Sequence, residues 1–161
     1  MKIFISILFV LFVGNPDLAE VRKLYTDAAK SEANAKAFAE KTADVPDNDA
    51  NKVLVAYKGC ALTLKSKFSG VLGDKISFMK QGAKLIDAAA AAEPGNIEIR
   101  MIRLSVQESV PRIVNYRSNK SEDKAVILKN YKDAGELKEY IRKFVVQSKS
   151  FTAAEKKALT N

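Results

Sequence analysis

Apolar side chains recur every three to four residues along most of the chain, the spacing that places them on one face of a helix. Segments rich in Asp, Asn, Gly, Ser and Pro interrupt this pattern and carry residues that cap and end helices. Helices are therefore predicted over residues 17–43, 50–68, 75–92, 97–116, 121–130 and 134–147, with a short terminal helix after residue 152. The pattern predicts an all-α fold, an antiparallel stack of about six to seven helices.

The segment over residues 96–107 has apolar side chains on two sides. It alternates apolar and polar residues at first, as a strand would, but the alternation does not persist. Apolar residues on two sides of a helical wheel are typical of a helix packed between neighbours. We therefore predict a central helix with four buried side chains, and Pro111 should kink it or end it near Val110. The four are Ile99, Ile102, Leu104 and Val106.

The start of the chain has the arrangement of a secretory signal peptide. One basic residue precedes an apolar run over residues 3–13, which is shorter than the roughly 20 residues of a membrane-spanning helix. We predict a signal peptide over residues 1–19, in which Asp17 occupies a position before Ala19 where cleavage sites prefer a small residue. Residues 20–161 would then form a single helical domain, exported to the periplasm or the extracellular space, without a transmembrane segment. A buried N-terminal helix is the alternative.

The composition removes several kinds of chemistry. The chain has no histidine and one cysteine, Cys60, so nucleophile systems that need a histidine base are excluded. A zinc site would have to use carboxylates alone. The seven glycines form no Gly-rich phosphate loop. We therefore predict no catalytic residue, no metal and no cofactor, and we expect Cys60 to be a small core residue.

The net charge of +8 is unevenly distributed. Residues 20–94 carry 12 basic and 10 acidic side chains, whereas residues 95–161 carry 14 and 8. A basic half can attract nucleic acid, anionic lipid or acidic proteins. The lysines are scattered among acids on the predicted helix faces, as on an ordinary solvated surface, and specific nucleic-acid binding is not predicted.

Arginine is concentrated in and just after the predicted central helix, which holds or adjoins four of the six arginines. Arg100, Arg103 and Gln107 share one face by i, i+3, i+7 spacing, and Arg112 is placed to pair with Glu108. Two interpretations stay open. In one, Arg100, Arg103, Gln107 and Arg112 bind an anionic ligand through bidentate contacts. In the other, the arginines join this helix to acids of the first and third predicted helices.

Residues 81–96 resemble the second helix of a tetratricopeptide repeat and its exit turn, with Gly82 at the small position, Ile86 at the bulky one and Pro94 at the end. Residues 56–62 resemble the first helix, where Gly59 would permit close helix contact. The two glycines are 23 residues apart, about twice the usual separation. The resemblance implies a tetratricopeptide-like pair with long helices.

A second resemblance covers most of the chain. It rests on four segments, at residues 21–25, 56–62, 96–108 and 147–152. Together they resemble a family of small exported helical proteins of Bacteroidota. The resemblance implies export and an all-helical fold, and it implies no mechanism.

These observations favour an exported, non-catalytic helical interaction module that binds a protein, a peptide or an anionic envelope component. One alternative is a carboxylate-dependent enzyme acting on an envelope glycan, with Glu98 and Glu108 as candidates. Another is nonspecific binding of anionic polymers through the basic C-terminal half.

Overall fold

The computed structural model describes residues 15–160, and within them the chain is all-helical. Most of the predicted signal peptide therefore lies outside the described residues. Eight α-helices follow one another, one more than the upper end of the predicted range. They are α1 Leu18–Ala28, α2 Glu32–Thr42, α3 Lys52–Phe68, α4 Leu72–Ala92, α5 Ile97–Ser109, α6 Lys120–Asn130, α7 Lys138–Gln147 and α8 Ala153–Thr160.

The helix α5 is the centre of the stack. It packs against α3, α4, α6 and α7, and ten of its 13 residues are buried. Burial on both apolar sides confirms the prediction from its two-sided pattern. The four residues predicted to be buried are all at most 4% exposed, namely Ile99, Ile102, Leu104 and Val106.

The helices α3 and α4 form an antiparallel hairpin with the largest helix–helix interface of the described chain. Gly59 and Gly82 face each other where the two helices cross. A Cβ atom at Gly59 would lie 2.7 Å from the Gly82 carbonyl oxygen, and one at Gly82 would collide with the Gly59 carbonyl oxygen. The absence of side chains at both positions lets the two backbones touch. The predicted close contact at Gly59 is confirmed, and the tetratricopeptide likeness stays a prediction.

The single helix predicted over residues 17–43 is wrong, because two helices occupy this segment. The backbone of Ser31 is extended, and its hydroxyl oxygen accepts a hydrogen bond from the Asn34 amide as the N-cap of α2. The Asn34 side chain returns a hydrogen bond to the carbonyl oxygen of Asp27 near the end of α1. A serine cap can thus end one helix and start another without glycine or proline.

Proline ends α5 early. The helix stops at Ser109, with Val110 as its C-cap, so the predicted extension to residue 116 is wrong and the predicted stop near Val110 is confirmed. Pro111 then precedes a short 3-10 turn over Arg112–Val114. The ring fixes the backbone and removes the amide that an α-helix would need at this position.

Three further helices begin at residues other than those predicted, and the predicted start of a fourth is confirmed. The helix α4 begins at Leu72, α6 at Lys120, and α7 at Lys138 after two 3-10 turns. At the start of α8 the predicted capping box is present. The Thr152 amide donates to Glu155, whose own amide donates to the Thr152 hydroxyl oxygen.

Candidate functional site

Three side chains of α5 converge on a buried carboxylate of α6. Asp123 has no exposed surface. Its Oδ1 lies 2.7 Å from Arg103 Nη2 and 3.0 Å from Arg100 Nη1. Its Oδ2 lies 2.9 Å from Arg103 Nε and 2.8 Å from Gln107 Nε2. Hydrogen bonds of this kind offset the desolvation of a charged group that would otherwise be expensive to bury.

Two further carboxylates lie at the edge of this cluster. Glu122 accepts hydrogen bonds from Arg100 at 2.7 Å and from Arg103 at 3.1 Å. Asp87 of α4 lies 3.4 Å from Arg103 and also accepts a hydrogen bond from the Tyr116 hydroxyl. Burial alone would lower the pKa of Arg103, but the hydrogen bond to Asp123 and the neighbouring negative charges outweigh it and raise that pKa. The guanidinium groups therefore join α5 to α4 and α6.

The structure brings together three of the four residues predicted as a ligand-binding set. Arg112 is the exception, because it is exposed in the turn that follows α5. Its predicted ion pair with Glu108 is wrong. The Glu108 carboxylate instead accepts hydrogen bonds from the hydroxyls of Ser148 at 2.6 Å and Ser150 at 2.5 Å. The three residues that converge are Arg100, Arg103 and Gln107.

A second buried carboxylate, Glu98, is bonded on both of its oxygens. Arg22 of α1 donates to Oε1 and Oε2 at 2.7 Å each, and Tyr57 donates to Oε1 at 2.6 Å. We predicted that arginines of the central helix pair with acids of the first helix. In the link between α1 and α5 the arginine is instead on α1 and the acid on α5. The hydrogen bond from Arg22 to Glu98 raises the pKa of Arg22. Burial is the main reason that the pKa of Tyr57 is well above its ordinary value.

Glu98 and Glu108 are separated along α5 by ten residues, which corresponds to about 15 Å of helix. Paired carboxylates of glycoside hydrolases lie roughly 5–10 Å apart in one cleft. The two candidates of the carboxylate-enzyme alternative therefore do not form such a pair with each other.

An open groove runs over one face of α3 and is here called the α3 groove. Its volume is about 650 Å³, within the range of ligand pockets in proteins. Its α3 side consists of residues at i, i+3, i+4 and i+7 of the helix and of the C-cap residue at i+11. These are Lys58, Ala61, Leu62, Lys65 and Ser69.

The helix α2 forms one wall of the α3 groove, and two aromatic rings lie at one end. The wall carries alanines at i, i+4 and i+8, namely Ala35, Ala39 and Ala43. Because alanine side chains are short, the groove stays open between α2 and α3. Phe68 and Phe78 lie at the end of the groove nearest the start of α2, where Glu32 also lies.

Lysines and glutamates lie along the rim of the α3 groove. Lys58 donates to Asp47 and to the carbonyl oxygen of Val45, so its charge is already engaged. Lys65 is exposed, and its Nζ lies 4.7 Å from the centre of the Phe78 ring. The rim therefore offers a cation beside the aromatic end of the groove.

The sequence pattern does not predict the α3 groove. The face of α3 along the groove carries two lysines, Lys58 and Lys65, among its apolar residues, so its pattern does not mark it as a contact surface. The alanine spacing on α2 was the available signal, but it lay in a segment predicted to be part of a longer helix. Because the chain breaks between α1 and α2, the alanine face of α2 can pack along α3.

Within residues 15–160, no helix combines the length and the apolar character needed to cross a membrane. The same part of the chain contains no group of three or more His, Cys, Asp or Glu side chains arranged to hold a metal ion. Cys60 is buried as predicted, and burial raises the pKa of its thiol to about 12.

Comparison of the chain with models of known protein families, with curated proteins and with solved structures finds no match.

Proposed function

We propose that this protein is a non-catalytic helical interaction module that binds a helical segment of a partner protein in the α3 groove. The observation that carries the proposal is the groove itself, an apolar trough bordered by α2 and the end of the α3–α4 hairpin. Stacked helices bury a shared core and leave such grooves for peptides and partners.

The length of the α3 groove suits a short helix. Its α3 side extends from Lys58 to Ser69, which is about 16 Å along the axis of α3 and matches about 11 residues of a second helix. Backbone amides and carbonyls in the walls are already bonded within helices, so the groove offers few partners to an extended peptide. A helical segment satisfies its own backbone and needs only side-chain contacts.

The side chains that line the groove define the face that a partner helix would present to it. Ala35 and Ala61 are buried beneath the groove and Ala39 is half-buried with a short side chain, so the partner helix would present medium-sized apolar residues. Phe68 and Phe78 would contact an apolar side chain at one end. Lys65, beside that end, would pair with an acidic residue of the partner.

The test measures the capture of a partner by the unaltered protein and by two variants, each of which carries one substitution. Ala39→Arg places a long charged side chain in the α3 groove, whereas Ala37→Arg makes the same change at an exposed position outside it. We expect an immobilised protein to retain a specific partner from extracts of the cell envelope. Ala37→Arg should retain it and Ala39→Arg should lose it.

Isothermal titration with a synthetic helix from that partner then measures the affinity of each variant. Equal binding by both variants would exclude the α3 groove as the site. Turnover of an envelope glycan by the purified protein, without a captured partner, would favour the carboxylate-enzyme alternative.

We also propose that the protein is exported, because the apolar run over residues 3–13 follows a single basic residue and precedes Gly14-Asn15-Pro16. The experiment is N-terminal sequencing of protein recovered from the periplasm or the medium. Recovery only from the cytoplasm with an intact N-terminus would contradict export.

A further inference from the structure

The turn between α3 and α4 and the first two turns of α4 expose three large aliphatic side chains. Val71 is 59% exposed, Leu72 71% and Ile76 50%. Added Cβ atoms at Gly70 and Gly73 would meet no atom within 4 Å, so the described chain leaves both sides of the turn uncovered. Clusters of exposed aliphatics on a protein surface mark sites of contact with a partner or a membrane. This end of the hairpin, residues 65–80, is here called the hairpin tip.

The hairpin tip is also basic. It contains four lysines and one acidic residue, Asp74. Leu72, Lys75 and Ile76 share one face of α4 by i, i+3, i+4 spacing. Lys65 and Lys67 approach from α3, where both are exposed and lie near the rings of Phe78 and Phe68. Lys67 also donates a hydrogen bond to the Ala29 carbonyl oxygen. The exposed aliphatic side chains thus lie at an end of the hairpin that carries an excess of ammonium groups.

We propose that the hairpin tip docks on an anionic lipid surface, with Val71, Leu72 and Ile76 at the boundary of headgroups and acyl chains. The excess of lysine over acid complements anionic headgroups. Long lysine side chains can follow apolar neighbours into the interface while their charges stay among the headgroups. The turn projects from the end of the hairpin, and a flat lipid surface can contact a projecting turn without a matching cavity.

The hairpin tip shares Lys65, Phe68, Ser69 and Phe78 with one end of the α3 groove. Leu72, Lys75 and Ile76 do not line the groove, so substitutions at these three positions test the docking separately from the proposed groove function. Loss of one activity by substitution would leave the other measurable.

A site-specific fluorescent label tests the proposal in the full chain. Leu72→Cys introduces an exposed thiol, while the native Cys60 is buried and its thiol pKa is raised to about 12, so the label reacts at the new position. The matched control is Ile113→Cys, because Ile113 is 93% exposed in a different part of the chain.

The probe is vesicles of phosphatidylglycerol and phosphatidylcholine in equal parts, with pure phosphatidylcholine for comparison. We expect the label at Leu72→Cys to shift to shorter wavelength on the anionic vesicles and to be quenched by lipids with a nitroxide on the acyl chain. The label at Ile113→Cys should show neither effect. Equal responses at both positions, or none at Leu72→Cys, would overturn the proposal. A shift that depends on protein concentration without lipid would instead identify a second copy as the occupant and would also overturn it.

Vesicle sedimentation measures how much the aliphatic side chains and the lysines each contribute to partitioning onto the vesicles. Leu72→Ser should lower partitioning onto anionic vesicles about tenfold, and Lys75→Gln about fivefold. Lys143→Gln, an exposed lysine of α7, is the control for charge and should have little effect. Residues 3–13 are present in every variant, so their contribution cancels in these ratios. Equal losses for Lys75→Gln and Lys143→Gln would contradict docking through the tip.

Discussion

Asp123 is fully buried, and the donors around it decide its effect on stability. A buried ion pair adds little when compared with well-packed apolar residues, because both charges have lost their hydration. Removal of Arg103 is different, since it takes away the main compensation of a buried charge and leaves Asp123 only the donors of Arg100 and Gln107. Arg103 is the main partner, with two nitrogen atoms on the carboxylate.

Arg103→Ala should therefore destabilise the protein by about 3–5 kcal/mol. The exposed Arg112 provides the matched control, and Arg112→Ala should change the free energy of unfolding by less than about 0.5 kcal/mol. Urea denaturation followed by circular dichroism measures both values. Similar effects for the two variants would show that the buried cluster does not carry the stability that its geometry implies.

Glu122 makes the same cluster sensitive to acid. Hydrogen bonds from Asn119 and Arg100 lower its pKa below the ordinary value of 4.5. A lowered pKa in the folded state means that the unfolded chain binds the proton more readily, so the contribution of Glu122 to stability is lost as the pH falls through its folded-state pKa. The melting temperature of the unaltered protein should therefore exceed that of Glu122→Gln at neutral pH. The difference between the two melting temperatures should shrink as the pH falls below 4.5. A difference that is constant with pH would contradict this assignment.

At the scale of elements, the crossing of α3 and α4 depends on two missing side chains. The atoms that an added Cβ would meet are mainly backbone atoms of the other helix. Backbone in the middle of a packed helix pair cannot move aside as the end of a flexible side chain can. The crossing is therefore intolerant of even one extra methyl group.

Gly82→Ala should destabilise the protein by about 1–3 kcal/mol, although alanine is the better helix former. Gly73→Ala in the first turn of the same helix is the control, because its added Cβ would meet nothing within 4 Å. That change should leave stability equal or slightly higher. Thermal unfolding by calorimetry distinguishes the two, and a stabilised Gly82→Ala would mean that the helices can separate at little cost.

The start of α1 lies inside the predicted signal peptide. Asp17 caps the helix through the Ala19 amide, and Leu18 packs against the core. A chain that begins at Glu20 should therefore be about 2 kcal/mol less stable than one that begins at Asn15. Denaturant unfolding of both chains measures the difference. Asp17→Ala in the longer chain isolates the cap, and no loss in either case would show that the first turn of α1 is dispensable.

At the scale of the whole molecule, burial is concentrated in α5 and decreases toward the C-terminal end. The helix α5 packs against four other helices, whereas α8 packs mainly against α7. Local opening requires less free energy where fewer apolar contacts are broken. Amide hydrogen exchange should accordingly be slowest in α5 and fastest in α8. Protection of α8 equal to that of α5 would contradict a stack organised around one central helix.

The all-helical fold could be predicted from the sequence because helical periodicity and caps are local properties. Apolar residues on two sides identified α5 as a buried helix, Pro111 marked its end, and the Thr152–Glu155 spacing marked the start of α8. Each signal reflects interactions between residues close in the chain, or a face that must be covered by any neighbour. The identity of that neighbour is not a local property.

Tertiary structure alone decided which groups meet. The i, i+3, i+7 spacing placed Arg100, Arg103 and Gln107 on one face, but only the packing of α6 supplied Asp123 as their partner. The break at Ser31 separates α2 from α1, and tertiary packing then places α2 against α3, where the two helices border the α3 groove. Such contacts join residues far apart in sequence, and their geometry depends on how all the helices share one core.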